Sequence, residues 1–461
     1  MQKSIYLSIL WILFPFCLSA QEALAGKWYG KLQSAMGEIV VELELEAKPF
    51  AGKLSTSSGI AGMKLEDLKS EEGQFSFRLP AFAATYEGRA NKDEIRGHWQ
   101  QGPQRVELIF GRKEQTTKAR PQTPKQEQGY TSEELRFKSL EDNIQMAGTL
   151  TLPEGEGPFP AAILLTVAGA NDRDQSHSMG HKPFLVLADH LSKSGIAVLR
   201  YDDRGVGESE GNLLESDFTD FTEDALAAFA YLAQRKEIDP TKIGYIGNSE
   251  GTVIASMAAI EEERVAFTIQ LGAVGVPLRD LSKDRLNRMQ EMYQLSEKQK
   301  AEILAYYKAL DEIVNSEMAE KDKAEAIGNI PAENTFDKAG FPHQLFFLPK
   351  EKAERSKLYL SPWYKAQASF HPKNILPYLK CPTLIINGSL DLFQHPELNF
   401  PSMKVYFEQA ENQDASFWIP EGVNHVMQEA KTGLPTEYPM LESSFSPKVM
   451  ENIRHWIQER F

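Results

Sequence analysis

The stretch Gly247-Asn248-Ser249-Glu250-Gly251 decides how this chain is to be read. An apolar run, Ile243 to Ile246, precedes it, and a small-residue run, Thr252 to Ala259, follows. The first predicts a buried strand and the second a helix, so Ser249 falls on the sharp turn between them. Such a turn lifts a hydroxyl clear of the backbone. Glycines at 247 and 251 permit it, because a side chain at either place would crowd the adjoining strand or helix. The five-residue pattern alone arises by chance, and the strand-turn-helix setting is what gives it weight. A serine held this way is placed for nucleophilic attack.

A serine hydroxyl is a weak nucleophile at neutral pH. It needs a base to take its proton, and the base needs an orienting acid. For a nucleophile on such a turn the partners follow in the order serine, acid, histidine. Thr383 to Asn387 predicts a strand, and Asp391 lies just past its end. Phe417-Trp418-Ile419 predicts another, and His425 lies on the loop after it. A parallel α/β sheet opens its ligand crevice at these carboxyl ends. Glu397 and Glu421 remain alternative acids for the imidazole. Of the nine histidines, His98, His177, His181, His190, His395 and His455 have no such context. The oxyanion formed during attack needs two backbone N–H donors. One is Glu250, directly after the serine. The other follows the strand ending at Val167, where Ala168 is the first choice and Gly169 the next.

Strand and helix patterns alternate outward from this centre. Ala161 to Val167, Ile196 to Tyr201 and Phe267 to Leu271 predict strands, and Phe184 to Ser194 and Phe221 to Gln234 predict helices. The fold class is α/β, a doubly wound and mostly parallel sheet. The alternation breaks at Leu278 and resumes at Thr383. A charged helical insert, 278–375 with its return, fills the gap. It is either a lid over the site or a solvated excursion. Residues 21–112 differ: Glu38 to Glu46, Phe75 to Leu79 and Val106 to Phe110 alternate with a period of two, predicting a small antiparallel β domain. Residues 113–130 carry Pro121, Pro124 and several Gln and Lys, and read as a linker to the catalytic domain, 131–461.

The polar run Tyr201-Asp202-Asp203-Arg204 follows a strand, and its charges are suited to pinning loops. No dinucleotide-binding glycine pattern and no metal-ligand spacing is present, so neither a cofactor nor a metal is expected. A net charge of −15 over 461 residues argues against a nucleic-acid partner. Residues 1–20, with Lys3, an apolar core from Ile5 to Leu18 and Ser19-Ala20, have the pattern of a cleaved export signal. The expectation is an exported protein, periplasmic or extracellular, with no stable membrane span after cleavage. Homodimerisation is left open.

From residue 130 onward the chain resembles the α/β-hydrolase-fold bacterial esterases with an N-terminal β domain, the serine aminopeptidase-like family. The resemblance rests on Gly148-Thr149-Leu150, Asn171 to Asp174, Arg200 to Ser209, Gly247 to Gly251, Cys381-Pro382 to Asp391, and Asn424-His425. It implies Ser249 as nucleophile, His425 as base and Asp391 as acid, acting on small-molecule short-chain carboxylic esters. Two positions depart from the family pattern: Asn248 stands where histidine is common, and Val167-Ala168-Gly169-Ala170 replaces Gly-Ser-Gly-Pro. The same three residues would serve a serine peptidase or acylaminoacyl hydrolase. A non-catalytic binding protein on a hydrolase scaffold is a third reading.

Overall fold

The computed structural model describes residues 21–34, 37–56, 63–71, 73–79, 84–101, 104–113, 120–125, 129–177, 180–292, 295–330, 352–435 and 437–461. The expected export signal, 1–20, lies outside these residues, as do parts of the linker and of the insert. The chain divides into two compact units, Met1–Ala119 with His177–His181, and Arg120–Ser176 with Lys182–Phe461.

The first unit is a nine-stranded antiparallel sheet. Its strands are β1 (Gly26–Ser34), β2 (Gly37–Ala47), β3 (Phe50–Thr56), β4 (Met63–Lys64), β5 (Glu66–Glu71), β6 (Gln74–Leu79), β7 (Ala84–Ala90), β8 (Glu94–Gln101) and β9 (Gln104–Gly111). The period of two has a direct structural cause: successive side chains of β2 point to opposite faces. Val41, Leu43 and Leu45 are buried, while Glu44 and Glu46 are exposed. The buried face holds Trp28, Leu54, Phe77, Tyr86 and Phe110.

The second unit is built on an eight-stranded sheet. It contains β10 (Tyr130–Lys138), β11 (Gln145–Pro153), β12 (Phe159–Leu165), β13 (Ala197–Tyr201), β14 (Ile238–Asn248), β15 (Phe267–Leu271), β16 (Thr383–Ile386) and β17 (Ala415–Trp418). The order is β10-β11-β13-β12-β14-β15-β16-β17. β11 pairs antiparallel with β10 and β13, and the remaining pairs are parallel. Parallel strands are covered on both faces, which explains their unbroken apolar runs. Ala161, Ile163 and Leu165 of β12 face one core, with Phe229 and Leu232 of the helix Phe218–Ala233. Ala162 and Leu164 face the other, with Leu187 of the helix Pro183–Ser192 and Ile453 of the helix Pro447–Gln458. This is the α/β-hydrolase fold, preceded in the chain by the antiparallel β unit.

Between β15 and β16 stand the helices Leu278–Met292, Glu297–Val314, Glu320–Asn329, Lys352–Tyr359 and Pro362–Ser369. They carry a core of their own, with Ile303, Tyr306, Leu310, Ile327 and Tyr359. A helix the sequence reading did not anticipate, Pro396–Gln409, joins β16 to β17. Pro401 inside it hides the pattern. Phe400, Met403 and Phe407 nevertheless recur at helical spacing and are buried.

The polar run after β13 anchors the loops above the sheet. Arg204 is buried and grips Asp224 with two bonds, from Nε at 2.7 Å and Nη2 at 3.0 Å. Asp142 meets the same guanidinium from a more exposed position, at 2.6 Å. Removing one member of a buried pair strands the other charge without water. Asp224→Ala is expected to lower unfolding free energy by about 3–5 kcal/mol in urea denaturation. Asp142→Asn should cost under about 1 kcal/mol, because water replaces the exposed carboxylate. Equal costs for the two variants would contradict this account.

Candidate active site

Ser249 joins β14 to the helix Glu250–Glu261 with φ at +54°, a conformation that residues with side chains seldom adopt. The flanking glycines are what make the turn fit. A Cβ on Gly247 would lie 2.2 Å from the Gly251 carbonyl oxygen, and one on Gly251 would lie 2.3 Å from the Leu165 carbonyl oxygen. Hydrogen bonds then lock the turn to its neighbours: Ser249 N–H donates to Leu271 O at 2.8 Å, and Gly251 N–H to Thr166 O at 3.0 Å.

Asp391 and His425 come from the loops after β16 and β17. The Asp391 carboxylate is fully buried and lies 3.0 Å from His425 Nδ1. Its second oxygen accepts the N–H groups of Phe393 and Gln394, at 2.9 and 2.8 Å. Burial alone would raise this carboxyl, but the charge and hydrogen bond of His425 and the two N–H groups prevail and hold it below its ordinary value. Asn387 braces the same loop, donating to Ala273 O and Gln394 O. Of the alternative acids, Glu397 is exposed and meets Arg288 at 3.2 Å.

Ser249 and His425 line one cavity of about 260 Å³. Gln394 reaches Ser249 Oγ from its rim, Nε2 to Oγ 3.5 Å. Ala168 and Glu250 line it as well. The N–H of Glu250 heads its helix, where no intrahelical acceptor exists. Gly169, at φ +106°, lines the adjoining recess with Asp203 and Tyr201 instead. The arrangement thus gathers a hydroxyl, an imidazole backed by a carboxylate, and the residues Ala168 and Glu250 about one space. The insert is part of the wall: Leu278, Leu281 and Arg285 enter from its first helix, and Gln367 from its last. Among the described residues no group of three His, Cys, Asp or Glu side chains is arranged to hold a metal. No helix of the described residues is long and apolar enough to cross a membrane.

Behind the wall lies a half-buried acidic pair. Asp203 accepts from Thr166 Oγ1 at 2.7 Å and from Asn171 N–H at 2.9 Å, tying the loop that carries Ala168 and Gly169 to the end of β13. Burial pushes its carboxyl up to about 7, against the bonds from Thr166 and Asn171. The Glu250 carboxyl accepts from Trp363 Nε1 at 3.0 Å and from Gln367 Nε2, so it clasps the last insert helix. Burial, reinforced by the charge of Asp203, pushes Glu250 up to about 8.

Sequence reasoning reached Glu250 for its main-chain N–H and missed its carboxyl. It also missed Phe393, whose ring stacks on His425 with centroids 4.8 Å apart, and Arg285. One signal for Arg285 was available. Leu278, Leu281 and Arg285 recur at helical spacing, so the arginine continues the apolar face of an otherwise charged helix.

A family model described as "Serine aminopeptidase, S33" matches residues 176–328. Residues 176–328 are thus similar to the serine aminopeptidase-like hydrolases. The matched stretch contains Ser249 and the first insert helices, and ends before Asp391 and His425. Among curated proteins the chain is similar to esterase EstD of Thermotoga maritima, 31% identical over 147 residues, 32% of this chain and 35% of that protein. It is also similar to polyketide transferase claH of Penicillium crustosum, 33% identical over 144 residues, 31% of this chain and 44% of that protein. The chain therefore spans less than half the length of these two relatives. A solved structure of an esterase from Pyrococcus furiosus covers 72% of this chain and 92% of its own, at 15% identity and TM-score 0.42.

The Glu250 clasp sets a pH dependence. A carboxyl raised from 4.5 to about 8 on folding binds its proton more tightly in the native state. Its contribution to stability is therefore full below about 4.5 and is lost progressively as pH rises towards about 8. Glu250→Gln keeps the main-chain N–H and a side-chain acceptor but cannot ionise. The melting temperature of this variant minus that of the parent should rise from pH 5 to pH 9. A difference that stays flat across that range would show that the carboxyl does not titrate there.

Proposed function

We propose that the second unit is a serine hydrolase that cleaves short-chain carboxylic esters through an acyl-enzyme. The observation that carries this reading is the shared cavity: the Ser249 hydroxyl and the His425 imidazole line it together, with the Asp391 carboxylate 3.0 Å from Nδ1. In this reading Asp391 holds the Nδ1–H tautomer, leaving Nε2 free to accept the Ser249 proton as Oγ bonds to the ester carbonyl carbon. The oxyanion is met by the N–H groups of Glu250 and Ala168, fixed before the reaction begins. His425 returns the proton to the departing alkoxide. Water then enters by the same path and releases the acid. The clasp between Glu250 and the insert holds the lining residues of the insert over the acyl site. The esterase name of the Thermotoga maritima relative agrees with this chemistry.

An aminopeptidase must hold the ammonium of a free amino terminus. Glu250 and Arg285 line the cavity together with His425. Burial keeps the Glu250 carboxyl protonated near neutral pH, and the Arg285 guanidinium repels an ammonium. This electrostatic balance favours esters over peptides with a free amino end.

Ser249→Ala should fold, resist labelling by a fluorophosphonate and hydrolyse p-nitrophenyl butyrate at near-background rate. Asp391→Asn should lose on the order of 10⁴-fold in kcat, because the amide favours the wrong imidazole tautomer. Full turnover by Ser249→Ala would remove the nucleophile assignment. Failure of folded parent protein to react with the fluorophosphonate would point to a binding scaffold. A kcat/KM higher on an amide than on its matched ester would favour the peptidase.

A further inference from the structure

We infer that the Gln394 carboxamide is a catalytic group of the second half of the reaction: it donates to Ser249 Oγ and eases the departure of that oxygen when the acyl-enzyme is hydrolysed. This deepens the esterase reading and rests on it, because it requires an acyl group on Ser249.

Gln394 is 6% exposed and lines the cavity with Ser249 and His425. Its backbone is pinned at both polar groups. The N–H donates to Asp391 Oδ1 at 2.8 Å, and the carbonyl oxygen accepts from Asn387 Nδ2 at 2.7 Å. The loop that presents the acid therefore also fixes where this side chain starts. From there the carboxamide reaches the nucleophile, Nε2 to Oγ 3.5 Å. Its Oε1 is buried and has no hydrogen-bond partner. Among the described residues Ser249 Oγ is thus the one hydrogen-bond partner of the carboxamide. A buried amide left half satisfied is unfavourable for stability. Methionine has nearly the same length and would fill the space without orphaning an acceptor. What sets glutamine apart here is its one contact, and that contact is to the reacting oxygen.

The length of the contact decides which step it serves. At 3.5 Å it stands at the long end of a hydrogen bond and takes little from the nucleophilicity of the resting hydroxyl. Such a bond shortens and strengthens as negative charge gathers on its acceptor. During attack on the ester the electron pair of Oγ goes into the new bond, so little charge stays on that oxygen. Deacylation is different. A water oxygen bonds to the acyl carbon while His425 takes its proton. The bond from that carbon to Oγ then breaks, its electron pair goes to Oγ, and His425 returns the proton there. A donor already in place beside Oγ stabilises the charge as it develops. In acylation the departing oxygen is the substrate's alcohol, and a good leaving group such as p-nitrophenolate needs no such help.

The test separates the two half-reactions in Gln394→Met and in Gln394→Asn, which withdraws the donor by one methylene. Stopped-flow mixing of intact protein with p-nitrophenyl butyrate gives the acylation rate from the burst of p-nitrophenolate and the deacylation rate from the steady state that follows. Gln394→Met should deacylate about tenfold more slowly than the parent and acylate within about twofold of it. Its kcat and KM then fall together while kcat/KM holds, and mass spectrometry of the intact protein finds the butyryl adduct accumulating. Gln394→Asn should slow deacylation in the same selective way. The melting temperature of Gln394→Met should be no lower than the parent's, because no acceptor is orphaned in it. Deacylation unchanged in both variants would overturn the inference, and so would acylation and deacylation slowed by one common factor. Both results leave the esterase reading intact. Where Gln394→Met does not fold, the same two rates in Gln394→Asn decide. Folded parent protein that forms no acyl-enzyme would remove the esterase reading and this role of Gln394 with it.

Discussion

The second unit depends on one tight approach, the Ser249 turn against the strand beside it. Gly251 sits so close to Leu165 that no Cβ fits, and Gly247 sits equally close to Gly251. That contact forces Ser249 to a positive φ and points the residue away from the sheet. The strain is local and is held by backbone bonds to Leu271 and Thr166. Any movement of β12 or β15 would move the hydroxyl, so the parallel core doubles as the support of the site. The buried alternation along β12 supports the Ser249 turn as well as the two cores.

Around that fixed point the other groups arrive by loops, and loops need their own restraints. Asp391 accepts two N–H bonds from residues that follow it, which turns its loop into a cap with one oxygen left for His425. Asn387 ties this cap to Ala273. On the opposite side, Asp203 performs the same service for the loop bearing Ala168. The polar run after β13 is therefore not a reacting group, as its charges suggest at first sight. It is a framework on which the loop bearing Ala168 rests.

Much of this was legible in the residues because the physics was local. Apolar runs flanked by glycine become buried parallel strands, and the order serine, aspartate, histidine follows the order in which strand ends reach the crevice. The glycines of the turn announce a steric demand that the coordinates then display. What stayed hidden required tertiary knowledge. Pro401 disguised a helix whose buried face, Phe400, Met403 and Phe407, is regular. The two readings of the insert, lid or solvated excursion, could not be separated by pattern. Its first helix is strongly charged, and only the fold reveals that Leu278, Leu281 and Arg285 turn inward.

The insert also changes how the site's electrostatics should be understood. Two carboxyls, Asp203 and Glu250, are half-buried beside Ser249, and burial favours their neutral forms. A guanidinium is enclosed on the other side, against Phe393. Desolvation acts on all three, but with unequal result. The carboxyls move into the neutral range and can shed their charge, whereas the arginine starts so high that it keeps its own. Burial thus favours neutral carboxyls beside Ser249, in a chain whose overall charge is −15. The global charge governs encounter over long distances and is screened by salt. A local charge acts at contact range, where little water intervenes, and salt screens it far less.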